Sequence, residues 1–176
     1  MVIIGQGPIG LMTLQVARVR GATTVIAVDV REKPLDVALK LGATTALDNR
    51  RDDVIKEVLR LTSGEGVDVV IDTVGSIDTI SQGLRMLARG GRLVLVALSR
   101  KKVSLDLTML SGERSITSSA NNLYDEYEVA VKLLSSGRVR VKPFITHVFS
   151  LDDFYEAFKV ALNKDEYDAI KVVAKP

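Results

Sequence analysis

The stretch GQGPIG at positions 5–10 lies between three apolar residues and an amphipathic segment, which predict a strand and a helix. In that position it fits the glycine pattern G-x-G-x-x-G of turns that bind dinucleotides. Gly5 permits a tight turn, Gly7 lets the backbone approach a pyrophosphate, and Gly10 lets helix and strand pack closely. Pro8 at the first helical position sets φ without losing a hydrogen bond. The stretch therefore predicts a helix N-terminus whose free N–H groups face phosphates.

A carboxylate follows the second predicted strand, residues 24–28. Asp29 lies where an acid can accept hydrogen bonds from the ribose hydroxyls of an adenosine. Its negative charge repels a 2′-phosphate, which favours NAD over NADP. Arg31 and Lys33 weaken this inference, because either cation could turn toward a phosphate.

Short apolar runs alternate with helical patterns through the first hundred residues. Strands are predicted at residues 2–4, 24–28, 45–47, 67–71 and 93–98, and helices at 8–20, 34–41 and 52–62. A fourth helix is expected to place on one face the residues Ile77, Ile80, Leu84 and Leu87. Strands that are apolar on both faces are typical of buried parallel sheets. We predict an α/β fold of the Rossmann type, a doubly wound parallel sheet whose sixth strand is residues 114–120.

The pattern changes after residue 120 and predicts a C-terminal appendage of helices and strands. One helix carries Tyr127, Ala130, Val131 and Leu134 on one face and ends at Gly137. Strands are expected at 144–149 and 170–174. Ser150 and Asp153 have capping-box spacing. The helix that they open is predicted to bury Phe154, Ala157, Phe158, Ala161 and Leu162. We therefore divide the chain into an NAD-binding domain, 1–120, and a C-terminal segment, 121–176.

Composition excludes several kinds of site and partner. The 176 residues contain no cysteine and one histidine, so this chain cannot assemble a zinc site from sulfur ligands or from several histidines. His147 is expected to be structural. A net charge of +2 and the lack of a long apolar run indicate neither a nucleic-acid partner nor a membrane span, and the expected location is cytoplasmic. We assign no catalytic and no metal-binding residue within the chain.

Six stretches together resemble a known family, the medium-chain dehydrogenase/reductases, in its zinc-type alcohol, polyol and threonine dehydrogenase group. They are VIIGQGPIGL at 2–11, ALKLGAT at 38–44, GVDVVIDTVG at 66–75, GGRLVLV at 90–96, PFITHVFSLDD at 143–153 and IKVV at 170–173. Their order and spacing cover essentially the whole chain, so the likeness is more specific than the glycine pattern alone.

The resemblance implies a set of cofactor contacts. The pyrophosphate would be held by Gly5, Gly7, Pro8, Ile9 and Gly10, and the adenosine ribose by Asp29. Thr73 and Val74 would flank the nicotinamide, and the backbones of Val96, Ser118 and Ala120 would lie near its carboxamide. Lys171 matches a basic position that reaches the pyrophosphate. The family often has a basic residue five positions after the ribose acid, but here that residue is Pro34, so Arg31 or Lys33 would have to substitute.

The resemblance also implies a catalytic domain that this sequence lacks. That domain would supply the zinc ligands and the proton relay, and would receive the C-terminal segment, with strands 144–149 and 170–174 pairing with its strands. We therefore expect the chain to be the cofactor half of a longer NAD-dependent oxidoreductase acting on an alcohol or ketone, inactive alone. The family further implies a homodimer or a higher oligomer formed through the sheet edge at 114–120.

Other functions remain open. One is a zinc-independent quinone or enoyl reductase of the same superfamily, which would prefer NADPH. A second is a free-standing NAD-binding module without catalytic activity. A third is an α/β domain for another nucleoside such as S-adenosylmethionine, whose glycine loop also precedes a ribose-binding acid. Asp29 argues against the first of these.

Overall fold

A computed structural model of the chain describes residues 1–97, 102–122 and 124–176. Its main sheet is parallel and six-stranded, in the order β3-β2-β1-β4-β5-β6. The strands are β1 (Val2–Ile4), β2 (Ile26–Asp29), β3 (Thr45–Asp48), β4 (Val67–Asp72), β5 (Leu87–Leu95) and β6 (Ser115–Ser118). This is the doubly wound Rossmann order, which confirms the predicted fold.

The helices cover both faces of this sheet and continue into the C-terminal segment. They are α1 (Pro8–Val19), α2 (Glu32–Lys40), α3 (Val54–Leu61), α4 (Ile77–Arg85), α5 (Tyr124–Ser135) and α6 (Phe154–Leu162). No helix within the described ranges combines the length and the apolar character needed to cross a membrane.

The short strand β1 is fully buried at the centre of the sheet and divides the core. Val2 and Ile4 belong to a cluster with residues of α3 and α4, whereas Ile3 packs with residues of α1 and α2. Successive side chains of a strand point to opposite faces, so each face receives its own pair of helices. In the sheet register Ile4 lies beside Val28 and Asp72, which brings three strand ends together.

The boundary between α4 and β5 differs from the prediction. Leu87 is not on the face of α4, because that helix ends at Arg85 and Leu87 pairs with Val67 as the first residue of β5. An ideal Cβ built on Gly91 would lie 3.0 Å from the Val67 carbonyl oxygen. This part of β5 therefore approaches β4 closely. The strand predicted at 93–98 therefore begins earlier. Its predicted last residue, Leu98, lies outside the described residues.

The C-terminal segment forms a second, two-stranded sheet of β7 (Ile145–Ser150) and β8 (Lys171–Lys175). The two strands pair with each other in parallel, and each has no other strand partner among the described residues. Phe144 and Ile170, just before each strand, are buried in the cluster formed by α1, α2 and Ile3. The segment is therefore attached to the main sheet through apolar contacts. His147 lies half-buried in β7 and stacks against Phe149.

Helix α6 does not bury the face that the sequence predicts. Ala157 and Val160 are buried, but Phe154 and Phe158 are 57% and 54% exposed, and Leu162 is exposed as well. The predicted capping box is also wrong, because the Ser150 hydroxyl accepts from the Asp152 N–H and begins the short 3-10 turn Leu151–Asp153. Helix α5, taken over its whole described length, buries none of its residues. Both helices thus present apolar side chains that the described residues leave uncovered.

Candidate cofactor-binding site

The glycine turn that follows β1 is fixed by contacts to the two neighbouring strands. Gly5 has φ +87°, a conformation that favours glycine, and its N–H donates to the Val28 carbonyl at 2.8 Å. The Thr73 hydroxyl donates to the carbonyls of Ile4 and Gly5, each at 3.0 Å. An ideal Cβ on Gly5 would overlap Thr73 Oγ1 and lie 2.8 Å from Val74 Cγ2. The turn therefore lies against the residues that follow β4.

Gly10 and Gly7 differ in the space around them. An ideal Cβ on Gly10 would overlap the Gly5 carbonyl oxygen, so the first turn of α1 packs directly on the glycine turn. A Cβ on Gly7 would meet no atom of the described residues within 4 Å. Gly7 precedes Pro8 at the N-terminus of α1, where backbone N–H groups lack partners within the helix. Its backbone thus borders an open space next to a positive helix end, which suits an anion.

Asp29 is bonded to the same turn. Its carboxylate accepts from three backbone N–H groups: those of Gln6 at 2.6 Å, Val30 at 2.8 Å and Arg31 at 3.0 Å. The side chain is half-buried at the end of β2. A carboxylate has about four lone-pair sites, so it retains capacity to accept from a hydroxyl. Acid and glycine turn therefore form one preassembled unit.

Gln6 is a component of this unit that sequence reasoning missed. Its buried side chain donates from Nε2 to the Ile3 carbonyl at 2.7 Å, while its N–H holds Asp29. Gln6 Oε1 is buried and has no hydrogen-bond partner among the residues that the structure describes. The variable position of a glycine pattern gives no signal for such a role.

Asp72, a fully buried carboxylate at the end of β4, was also missed. It accepts from the N–H groups of Val74 at 2.8 Å and Gly75 at 3.0 Å, and from the Thr79 hydroxyl at 2.8 Å. Its backbone carbonyl accepts from the Val96 N–H at 2.9 Å. An acidic residue that ends an apolar strand, with a glycine three positions later, was the available signal. Asp72 thereby orders the backbone of Val74 and Val96.

The other predicted contacts occupy two different places. Val96 follows β5, and Ser118 and Ala120 lie at and beyond the end of β6, so all three share the carboxyl edge of the sheet with Thr73 and Val74. Ligands of open α/β sheets bind at that edge. Lys171 begins β8, outside the six-stranded sheet, beside the Thr146 hydroxyl that donates to its carbonyl.

Arg31 and Lys33 point their charges toward the C-terminal segment. Arg31 Nη1 donates to the Ala169 carbonyl at 2.9 Å, and Lys33 Nζ donates to the Asp168 carbonyl at 3.0 Å. We call residues 163–169 the acidic loop. Both cations that the sequence offered for the adenosine end are thus bonded to this loop.

Two further charges lie at the end of β3. The Arg50 guanidinium donates to the Asp48 carboxylate at 3.2 Å and holds the pKa of Asp48 below its usual value. The same bond raises the pKa of Arg50, and the negative charges of Asp165 and Asp29 add to the effect. Arg50 with Asp48 is thus an ion pair at the strand next to Asp29, in addition to the pair of Arg31 with Asp165.

The described residues do not suit a zinc ion. Across those ranges, no three side chains of histidine, cysteine, aspartate or glutamate lie close enough to hold a metal. The open space before Gly7 and the carboxylate of Asp29 do suit a dinucleotide, with its phosphates at the helix end and a ribose at the acid.

Comparisons with known proteins identify the family of this chain. The family model for zinc-binding dehydrogenases matches residues 8–136. L-threonine 3-dehydrogenase from Bacillus licheniformis is 37% identical over 90% of this chain and 46% of that protein. A solved oxidoreductase of unknown specificity from Escherichia coli is 33% identical with a TM-score of 0.93, covering 99% of this chain and 50% of that chain.

An alcohol dehydrogenase from Escherichia coli CFT073, solved in complex with NADH, has a TM-score of 0.89 at 25% identity and covers 99% of this chain and 51% of that chain. The chain thus spans about half the length of the relatives that it matches. The resemblance seen in the sequence is confirmed: this chain belongs to the zinc-binding dehydrogenases and corresponds to their cofactor-binding half.

Proposed function

We propose that this chain binds NAD as the cofactor half of a zinc-dependent alcohol or polyol dehydrogenase. The observation that carries the proposal is the open space at Gly7, bordered by the N-terminus of α1 and joined to Asp29 through the Gln6 N–H. This arrangement offers phosphate and ribose contacts a short distance apart. The wider family accounts for the alcohol chemistry, since L-threonine 3-dehydrogenase and alcohol dehydrogenases are among the relatives.

Each part of the cofactor has proposed partners. Backbone from Gly5 to Gly10 holds the pyrophosphate, with Pro8 presetting the helix start and Ile9 and Gly10 donating N–H groups. Asp29 accepts from the adenosine ribose, and the N–H of Arg31 keeps that carboxylate in place. The nicotinamide end is proposed to contact Thr73, Val74, Val96, Ser118 and Ala120. Lys171 completes the set at the pyrophosphate.

The nicotinamide supplies a hydride acceptor or donor for the reaction. The residues of this chain bind and orient that ring at the carboxyl edge of the sheet, where the ordered backbone around Asp72 limits its positions. We propose no catalytic residue in the chain. The zinc ligands and the proton relay are proposed to belong to a catalytic domain outside this sequence.

The uncovered helices support a proposal about where such a domain contacts the chain. Exposed apolar residues on α5 include Tyr127 and Val131, and those on α6 include Phe154 and Phe158. We propose that residues 1–120 form the NAD-binding domain and that 121–176 contact the catalytic domain through these faces. We place the protein in the cytoplasm, with a small alcohol or ketone as substrate.

The edge strand β6 is the proposed contact between two copies of the protein. It pairs with β5 on one side, and Thr117 and Ser118 are exposed. A two-fold axis at this edge would extend the sheet into the partner. Sedimentation of the intact polypeptide should give twice its chain mass, and a monomer at micromolar concentration would contradict this.

The test of the cofactor proposal is fluorescence titration of NADH and NADPH with Asp29→Ala. Wild-type protein should bind NADH more tightly than NADPH. The variant should lose about tenfold or more in NADH affinity and discriminate less between the two, because a charge-assisted hydrogen bond is removed. Asp29→Asn keeps an oxygen that can accept from the backbone N–H groups of the turn. It therefore distinguishes the loss of the negative charge from the loss of the hydrogen bonds that hold the turn.

Asp36→Ala removes the same charge from an exposed position on α2 and serves as the control. Unchanged binding of both nucleotides by the Asp29 variants would contradict the ribose assignment. Titration with S-adenosylmethionine in parallel distinguishes a dinucleotide site from a site for that ligand.

A further inference from the structure

We infer that the acidic loop, residues 163–169, selects against NADP by holding Arg31 and Lys33 away from the adenosine ribose. The inference rests on the proposed NAD site and concerns its specificity. A carboxylate alone gives limited discrimination when cations nearby can turn toward a 2′-phosphate. In this chain two such cations, Arg31 and Lys33, follow Asp29. In the structure both are hydrogen-bonded to the acidic loop.

Arg31 is bonded to both ends of the loop. Its Nη1 donates to the Ala169 carbonyl at 2.9 Å and to the Lys164 carbonyl at 3.4 Å, and its Nε lies 3.6 Å from Asp165 Oδ1. The Arg31 side chain is only 20% exposed. Arginine binds phosphate best when several of its N–H groups face the anion together. Here those groups already face carbonyl and carboxylate oxygens of the loop.

Lys33 is held by a single residue of the loop. Its Nζ lies 3.0 Å from the carbonyl oxygen and 3.2 Å from the carboxylate of Asp168. Asp168 has φ +49°, a conformation that aspartate and asparagine adopt more readily than most residues. In this conformation both the carbonyl oxygen and the carboxylate of Asp168 contact the Lys33 ammonium group.

The loop meets these cations close to the proposed ribose. The Arg31 N–H donates to Asp29 Oδ1 at 3.0 Å, so the ribose acid and the arginine belong to one turn. Asp165 also acts on Arg50, whose pKa is raised partly by the charges of Asp165 and Asp29. A 2′-phosphate at this site therefore meets carboxylates together with cations that are already neutralised. The loop adds to the discrimination that Asp29 provides.

The test is the double variant Asp165→Asn with Asp168→Asn in the intact polypeptide, titrated with NADH and with NADPH. Asparagine keeps the size of each side chain and tolerates the φ of Asp168. Loss of two partly exposed ion pairs should raise NADPH affinity about threefold to tenfold. NADH affinity should stay within about twofold, because these side chains do not hold Asp29.

Arg31→Gln in that background identifies the group responsible. Glutamine can still donate to a carbonyl of the loop but carries no charge for a phosphate. It should abolish most of the gain in NADPH affinity. Asp165→Asn alone changes a side chain that is 90% exposed, so it tests the same idea with the least risk to folding, and it should give a smaller gain.

Asp152→Asn with Asp153→Asn is the matched control, since it removes the same charge from the turn Leu151–Asp153. An equal gain in this control, or a gain that survives Arg31→Gln combined with Lys33→Gln, would overturn the inference. So would unchanged NADPH affinity in the loop variants while NADH still binds, and the proposed NAD site would then stand. Wild-type protein that binds neither nucleotide would overturn both proposals.

Discussion

Gly7 and Gly10 lie three residues apart, but a side chain at each would meet different surroundings. At Gly7 an added methyl group meets no described atom, and φ is −69°, which any residue adopts. At Gly10 the same group overlaps the Gly5 carbonyl. The lack of a side chain at Gly7 thus leaves an open space beside the turn. The lack of a side chain at Gly10 allows α1 to pack against the glycine turn.

Gly7→Ala should therefore weaken NADH binding without unfolding the protein. Alanine is a poorer N-cap than glycine but restricts the unfolded chain more, and these effects offset to within about 1 kcal/mol of unfolding free energy. The added methyl group occupies the space proposed for the pyrophosphate, so the dissociation constant for NADH should rise about tenfold or more. Urea denaturation and fluorescence titration measure the two quantities.

Gly10→Ala is the informative comparison, because it should lower the free energy of unfolding by about 1–3 kcal/mol through overpacking. Equal loss of stability in both glycine variants would contradict the distinction, as would unchanged NADH binding by Gly7→Ala.

The sequence predicted that the glycine turn follows β1 and that Asp29 lies at the end of β2, because both placements depend on local spacing. Gln6 and Asp72 escaped prediction for the opposite reason. Gln6 acts by linking its own turn to the end of β2, and Asp72 acts by joining the residues after β4 to Thr79 and Val96. Such roles appear only when the strands are placed side by side.

Helix α4 shows how one element is attached to the site. Ser76 and Thr79 cap its N-terminus reciprocally, and the Thr79 hydroxyl also donates to Asp72 Oδ2 at 2.8 Å. The helix start is therefore bonded to the carboxylate that orders Val74 and Gly75.

Thr79→Val should destabilise this junction by about 1–3 kcal/mol, because a buried carboxylate oxygen loses its donor and the helix loses part of its cap. Thermal or urea denaturation gives the value. Thr108→Val is the matched control: its hydroxyl donates to Asp106 at 2.8 Å on the exposed surface, and its loss should cost less than about 0.5 kcal/mol. Similar losses at both positions would show that burial of Asp72 does not matter.

Element boundaries show where periodicity fails. Leu87 fits the spacing of the apolar face of α4, yet it is buried as the first residue of β5. Where a helical pattern is followed directly by a strand pattern, an apolar residue at the boundary, here Leu87, fits both patterns. The choice is made by pairing with Val67, a contact distant in sequence.

At the scale of the whole molecule, the predicted and observed burial of α6 disagree in an informative way. The apolar spacing of Phe154, Phe158 and Leu162 predicts a buried face, but in the structure all three side chains are exposed. Phe144, by contrast, is 3% exposed within the cluster that joins the C-terminal segment to α1 and α2. The described residues therefore cover Phe144 but leave the apolar face of α6 uncovered.

Phe158→Ala should therefore have different effects in this chain and in the longer polypeptide proposed to contain it. In the chain alone the free energy of unfolding should change by less than about 1 kcal/mol, as for an exposed site. In the longer polypeptide, where we propose that the catalytic domain covers α6, the loss should reach about 2–4 kcal/mol. Phe144→Ala is the control and should cost about 3–5 kcal/mol in both. Urea denaturation of the four variants measures this, and equal losses for Phe158→Ala in the two contexts would show that α6 is not part of the domain contact.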